Sequence, residues 1–186
     1  TDGTQDIYKA FGFRVFDVGD RFRITIPSDV VKAINDEAIA LGDKPIVEEG
    51  ASLFHFAEAR NYAASLALND CILNPDADEA ITVFDIDKVE MAFKTVSRFQ
   101  YDFVFDHKPD GTPGIAFITD TRASDRRHWN WAGVVHETNK PITTNPVMAY
   151  IPPSIFKVEH FQVPSATRSS YLPGLAYACH LEPDND

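Results

Sequence analysis

Seven of the chain's 12 prolines lie at or after Pro141. Proline has no amide hydrogen and its ring clashes with the preceding helical turn, so this spacing disfavours helices through the last third of the chain. Residues 141–186 therefore read as a proline-rich extended segment of short strands joined by ordered loops. Helices and longer strands have to come from the first two thirds.

There the hydrophobic period alternates between two and about four. Residues 11–27 (FGFRVFDVGDRFRITIP) alternate apolar and polar on both sides of Val18-Gly19-Asp20, the pattern of two strands joined by a tight turn. Pro27-Ser28 then opens a helix over 29–41, with Val30, Ile34, Ala38 and Leu41 at helical spacing and Gly42 as its stop. Ala59, Tyr62, Ala63 and Leu66 mark a second helix over 57–69, and Val89, Ala92, Phe93, Val96 and Phe99 a third over 88–99. After it Tyr101, Phe103 and Phe105 alternate with polar partners, and a PDGTPG turn leads to GIAFIT, which predicts a second hairpin. The fold class that follows is α+β: antiparallel hairpins or sheet packed with about three helices, in a single domain over 1–186. The stretch GDRFRITIPSDVVKAI also resembles the AbrB-type DNA-binding domain, whose swapped hairpin ends in a threonine-isoleucine-proline run before a helix. Phe22 stands where that family places glycine, and no functional residue is transferred from it.

Charge narrows the class of partner. The net charge of −11 opposes long-range attraction to nucleic-acid phosphates and anionic membranes. No run of about 18 apolar residues is present and the start TDGTQD has no signal-like order, so no membrane span is expected and the location reads as cytoplasmic or within a virion. Cys71 and Cys179 are far apart with no CxxC spacing, which reads as two buried thiols.

The chemistry candidates begin with residues 74–93, NPDADEAITVFDIDKVEMAF. As a calcium loop, Asn74, Asp76, Asp78 and Asp85 take the first, third, fifth and twelfth positions, but Glu79 stands where the sharp turn needs glycine. VFDIDKV resembles the first motif of the haloacid-dehalogenase family, which implies a strand ending in Asp85 as phosphate acceptor with Asp87 as acid–base partner. Lys88 replaces the glycine that usually follows. Pro75-Asp76 with Asp106-His107-Lys108 matches the loose spacing of a restriction-type nuclease, while the turn reading explains DHKPDGTPG without chemistry. The stretch is most simply a helix start, with Asp87 as cap, Glu90 completing a capping box and the other acids at the positive end of the helix dipole. Neither a metal ion nor a cofactor is expected.

None of the six histidines forms a close ligand pair, although His136-Glu137 and His160 could converge with Asp120. No GxSxG, Walker loop or GxGxxG occurs. Residues 121–133 (TRASDRRHWNWAG) stand out: Arg122, Arg126, Arg127, Trp129 and Trp131 combine guanidinium forks with indole faces, which suits a phosphate, a stacked base, a sugar or a protein partner. Alternatively, the indoles face inward and the arginines pair with the chain's own carboxylates. Acidity, the lack of catalytic motifs and the extended last third together lead us to expect a non-enzymatic structural or assembly subunit. It would contact other protein subunits of a larger complex such as a virus or phage particle. The alternatives are a nucleic-acid or phosphate binder using Arg122, Arg126, Arg127, Trp129 and Trp131, and a metal-dependent hydrolase built from Asp76, Asp78, Asp85 and Asp87.

Overall fold

Strand β5 (Arg98–Val104) organises the molecule, because Phe99, Tyr101 and Phe103 alternate onto one face and all three are buried. The computed structural model describes residues 3–134, 137–161 and 172–181. Along one edge of β5 run β6 (Ala116–Thr119) and β7 (Ala123–Asp125), both antiparallel to it. Along the other edge run β10 (Met148–Tyr150) and β11 (Phe156–His160), both parallel to it. β4 (Glu79–Phe84) closes one side antiparallel to β11, and β3 (Cys71–Leu73) closes the other antiparallel to β7. The result is an α+β fold whose largest sheet curls into a half-barrel.

Helix α4 (Ile86–Phe93) covers one half of the inner face. Val89, Ala92 and Phe93 meet Phe99, Tyr101, Ile151, Phe156 and Val158 there. The rings of Phe99, Tyr101 and Phe156 meet edge to face at 5.0–6.2 Å, the arrangement that aromatic quadrupoles favour. A second core gathers Ile26, Val31, Ile34, Val47 and Tyr177, with α2 (Ser28–Ala40) and α5 (Leu172–Leu181) beside the pair β1 (Arg23–Thr25) and β2 (Ser52–Phe54). Helix α3 (Phe56–Ser65) joins this part to the hairpin of β8 (Trp129–Ala132) and β9 (Thr138–Pro141). The Asn61 side chain fixes that junction, donating to the Trp131 carbonyl and accepting from the Trp131 amide, both at 2.9 Å.

Several expectations need correction. The turn at Val18–Arg21 forms, with Asp17 accepting from the Gly19 amide, but residues 11–18 make no strand. β1 pairs instead with β2, Arg23 opposite Phe54, so the swapped hairpin implied by the AbrB-type likeness is not built. The short helix α1 (Thr4–Ala10) precedes it and buries none of its residues. The third helix stops at Phe93 although Val96 and Phe99 continue its period, because both are drawn into the sheet core from the far side of a chain reversal. Helix α5 forms within the proline-rich third. Pro173 stands in its first turn, where a missing amide hydrogen costs nothing. Its cap partner at α4 also shifts: Asp85, not Asp87, is the cap, accepting from the Lys88 amide at 3.2 Å and the Lys88 ammonium at 2.6 Å. The strand register decides this, since the Asp85 amide still donates to Ile155 while its side chain begins the helix. No helix among the described residues is long and apolar enough to cross a membrane.

Candidate functional site

Helix α4 leaves the other half of the inner face open, as a cavity of about 330 Å3. Sheet register assembles it. Phe103 lies between Phe117 of β6 and Val158 of β11, and His160 stands opposite Glu79. Phe105, Thr119, Thr121, Arg122 and the turn residues Asp76 and Asp78 complete the lining.

Its charges form one chain of bonds. Arg122 donates through Nε and Nη2 to the two Glu79 oxygens at 2.6 and 2.5 Å, and through Nη2 to Asp76 Oδ2 at 2.6 Å. Arg60 of α3 holds the other Asp76 oxygen, reaches Glu137 at 2.9 Å, and lies 4.7 Å above the Trp131 ring. Glu79 is only 2% exposed and also accepts from the Asp76 amide. Burial works against the charged form of Arg122, but the Glu79 carboxylate outweighs it and raises the guanidinium above its ordinary value.

His160 is held from both sides. Nδ1 lies 2.9 Å from the Phe105 carbonyl and Nε2 3.0 Å from Asp78 Oδ2. A carbonyl and a carboxylate can only accept, so making both bonds requires both ring nitrogens to donate, which is the imidazolium form. Burial opposes that charge, yet the Phe105 carbonyl and the Asp78 and Glu79 carboxylates raise the His160 pKa. Next to it Glu159 accepts from Lys157, His107 and Thr82. The Lys157 bond, against burial and helped by the other two, holds its pKa down to about 2.

No nitrogen of His160 is free to take a proton from a hydroxyl, and Glu79 is saturated by Arg122 and a backbone amide. The open side is aromatic: Phe105 and Phe117 are 38% and 47% exposed, Phe117 packing on Phe103 and Phe105 with ring centres 5.3 and 6.2 Å apart and Phe105 lying 5.4 Å from the His160 ring. Asp78 uses Oδ2 for its bond to His160, and Oδ1 has no hydrogen-bond partner among the described residues. Below, the fully buried Tyr101 hydroxyl stands by Thr121 and the Arg122 backbone without a well-formed hydrogen bond among the described residues, and burial raises its pKa.

Of the five Arg and Trp residues singled out by sequence, Arg126, Trp129 and Trp131 line one small cavity of about 150 Å3 beside α3, while Arg122 and Arg127 lie apart from it. Arg122 belongs to the larger cavity. Arg126 donates to the Ala64 carbonyl at 2.7 Å and to Asp70 at 3.1 Å, fastening the end of α3. Arg127, 60% exposed, pairs with Asp125 at 2.6 Å and Asp70 at 3.4 Å. Trp129 and Trp131 are buried, the first donating to Ser97 Oγ at 3.1 Å beneath the Arg98 guanidinium, 4.4 Å from its ring.

The acidic stretch is likewise divided: Asp76 between two arginines, Asp78 on His160, and Asp85 on Lys88. Among the described residues no three His, Cys, Asp or Glu side chains are grouped to hold a metal ion. The antiparallel order around β4 also differs from the parallel α/β core that the haloacid-dehalogenase likeness implies. Asp120 is bound by the buried Arg98 at 2.7 Å, His160 goes to Asp78, and His136 lies outside the described residues. Asp106 accepts from the Ile115 amide, and Lys108–Gly111 closes a turn, consistent with the turn reading of DHKPDGTPG. The cysteines are unpaired, Cys71 half-buried and Cys179 exposed, rather than both buried. Sequence inspection missed Phe103, Phe105, Phe117 and Glu79 as site residues. The signal was the alternation of β5, which places aromatic side chains on one face without saying that a helix covers only half of it.

The sequence matches no family model and no curated protein, so the functional reading rests on this geometry.

Proposed function

We propose that the chain is a non-enzymatic interaction subunit that docks a neighbouring protein on the open half of its curled sheet, within an assembly such as a virus or phage particle. One observation carries this reading: Arg122, Glu79 and His160 of the cavity are bonded inside the chain while the Phe105 and Phe117 rings at its mouth are exposed. Ile115 and Phe161 are exposed as well, Phe161 stacked on His107 with ring centres 4.9 Å apart. Aromatic side chains dominate the energetic centres of protein interfaces, where a rigid ring buries large area at low entropic cost. The acidic surface around them keeps the unassembled chain in solution.

The test is sedimentation of the protein as isolated from its natural source, beside a Phe117→Asp variant expressed there. The proposal expects a native species well above the 20.8 kDa of one chain, and release of the variant as a folded monomer. Native protein that sediments as a monomer, or a variant that stays in the assembly unchanged, refutes it.

A further inference from the structure

We propose that the cavity lined by Phe103, Phe105, Phe117 and Asp78 receives the cationic end of a lysine or arginine side chain presented by the docked partner. This rests on the docking reading and names the chemistry of what docks.

Three features select a cation. Phenylalanine faces carry negative quadrupole potential, and three rings meet here with two of them exposed. Asp78 Oδ1 stands at the same cavity without a hydrogen-bond partner among the described residues. The lining holds three carboxylates, Asp76, Asp78 and Glu79, against two cations, Arg122 and the His160 imidazolium, and Asp78 is the carboxylate not tied to an arginine. An anionic ligand meets the opposite situation, because Arg122 and His160 are already capped by carboxylates, and a phosphate would have to displace the buried Glu79. An uncharged apolar side chain would cover Asp78 without replacing its water, which is unfavourable. A cavity of about 330 Å3 has the dimensions of a side-chain pocket. The net charge of −11 adds long-range attraction for a basic partner and works against a second copy of this chain as the occupant.

The experiment titrates the full chain with acetylated, amidated Gly-Gly-X-Gly-Gly pentapeptides in which X is lysine, arginine, norleucine or glutamate, following the ring signals of His160, Phe105 and Phe117 by NMR. Lysine and arginine peptides should give saturable shifts at these rings, and norleucine and glutamate none. Phe117→Leu, which keeps apolar bulk but removes the ring face, and Asp78→Asn should each weaken lysine-peptide binding about fivefold. Glu37→Gln, on the exposed side of α2, should leave it unchanged. Equal binding of the norleucine peptide, or wild-type affinity in Phe117→Leu, overturns the cation assignment. If no peptide binds yet Phe117→Asp still leaves the native assembly, only this inference falls; if that variant also stays assembled, the docking reading falls with it.

Discussion

Replacing Arg122 by methionine tests whether this arginine is a structural brace or a free ligand-binding group. In the folded chain it makes three short charge-assisted bonds, two to Glu79 and one to Asp76, and its side chain is 15% exposed. Its loss leaves Glu79, 2% exposed, with only the Asp76 amide as a donor. Stranding a buried charge costs about 3–5 kcal/mol. The Asp76 contact adds little, because that carboxylate is 36% exposed and keeps Arg60, and a solvated pair contributes about 0–1 kcal/mol. We therefore expect Arg122→Met to destabilise by about 3 kcal/mol, read as a lower urea midpoint at unchanged slope. Adding Glu79→Gln should recover part of the loss, to about 1–2 kcal/mol below wild type, because the amide carries no charge and still accepts from Asp76. A single substitution costing under about 1 kcal/mol, or a double variant less stable than Arg122→Met, would refute the brace and return Arg122 to the pool of residues available for a ligand.

Three further outcomes follow from the same structure. Tyr101→Phe removes a fully buried hydroxyl that stands by Thr121 and the Arg122 backbone without a well-formed hydrogen bond, and should change stability by less than about 1 kcal/mol in urea titration, whereas a larger loss would mean that the hydroxyl is bonded. Asp85→Ala should lower the thermal midpoint clearly more than Asp87→Ala, since only Asp85 accepts from the α4 amides; equal effects would restore the Asp87 cap. The pH profile should have two limbs of opposite sign. His160, raised above its ordinary 6.5, adds stability that is complete below 6.5 and lost as pH climbs through its folded value, and His160→Gln should flatten that limb. Glu159, lowered from 4.5 to about 2, adds stability that is present above 4.5 and lost as pH falls towards 2, and Glu159→Gln should flatten this acid limb. Urea midpoints from pH 2 to 9 check both.

Much of the fold was legible locally. Helix α2 runs from Ser28 and stops before Gly42 as its apolar period and the glycine predict, although Ser28 makes no cap bond; α3 forms where the alanine-rich stretch lies, burying Ala57 rather than the expected face; and β5 with β6 forms the hairpin that alternation and the PDGTPG turn predict. These elements depend on contacts three or four residues apart, or across one turn, and a linear pattern records those directly. The strand over 23–25 was recognised but its partner was not, because β2 lies beyond the whole of α2 and competes with the nearer segment 11–18 for the same edge. α5 escaped notice because proline blocks a helix only past its first turn, and the site of that turn is set by packing of Tyr177 on the second core.

The amino-acid order alone determined which segments are amphipathic, where α4 can start within two residues, and that the chain carries a large excess of negative charge. Only the tertiary structure decided what the charged residues do. Arg122 and Glu79 are 43 positions apart and meet through the pairing of β7 with β3, and His160 and Asp78 are 82 apart and meet through the register of β11 against β4. A charge pattern shows where ions stand along the chain. Desolvation and distance, which exist only after folding, determine which of them neutralise one another and which surfaces remain open to a partner.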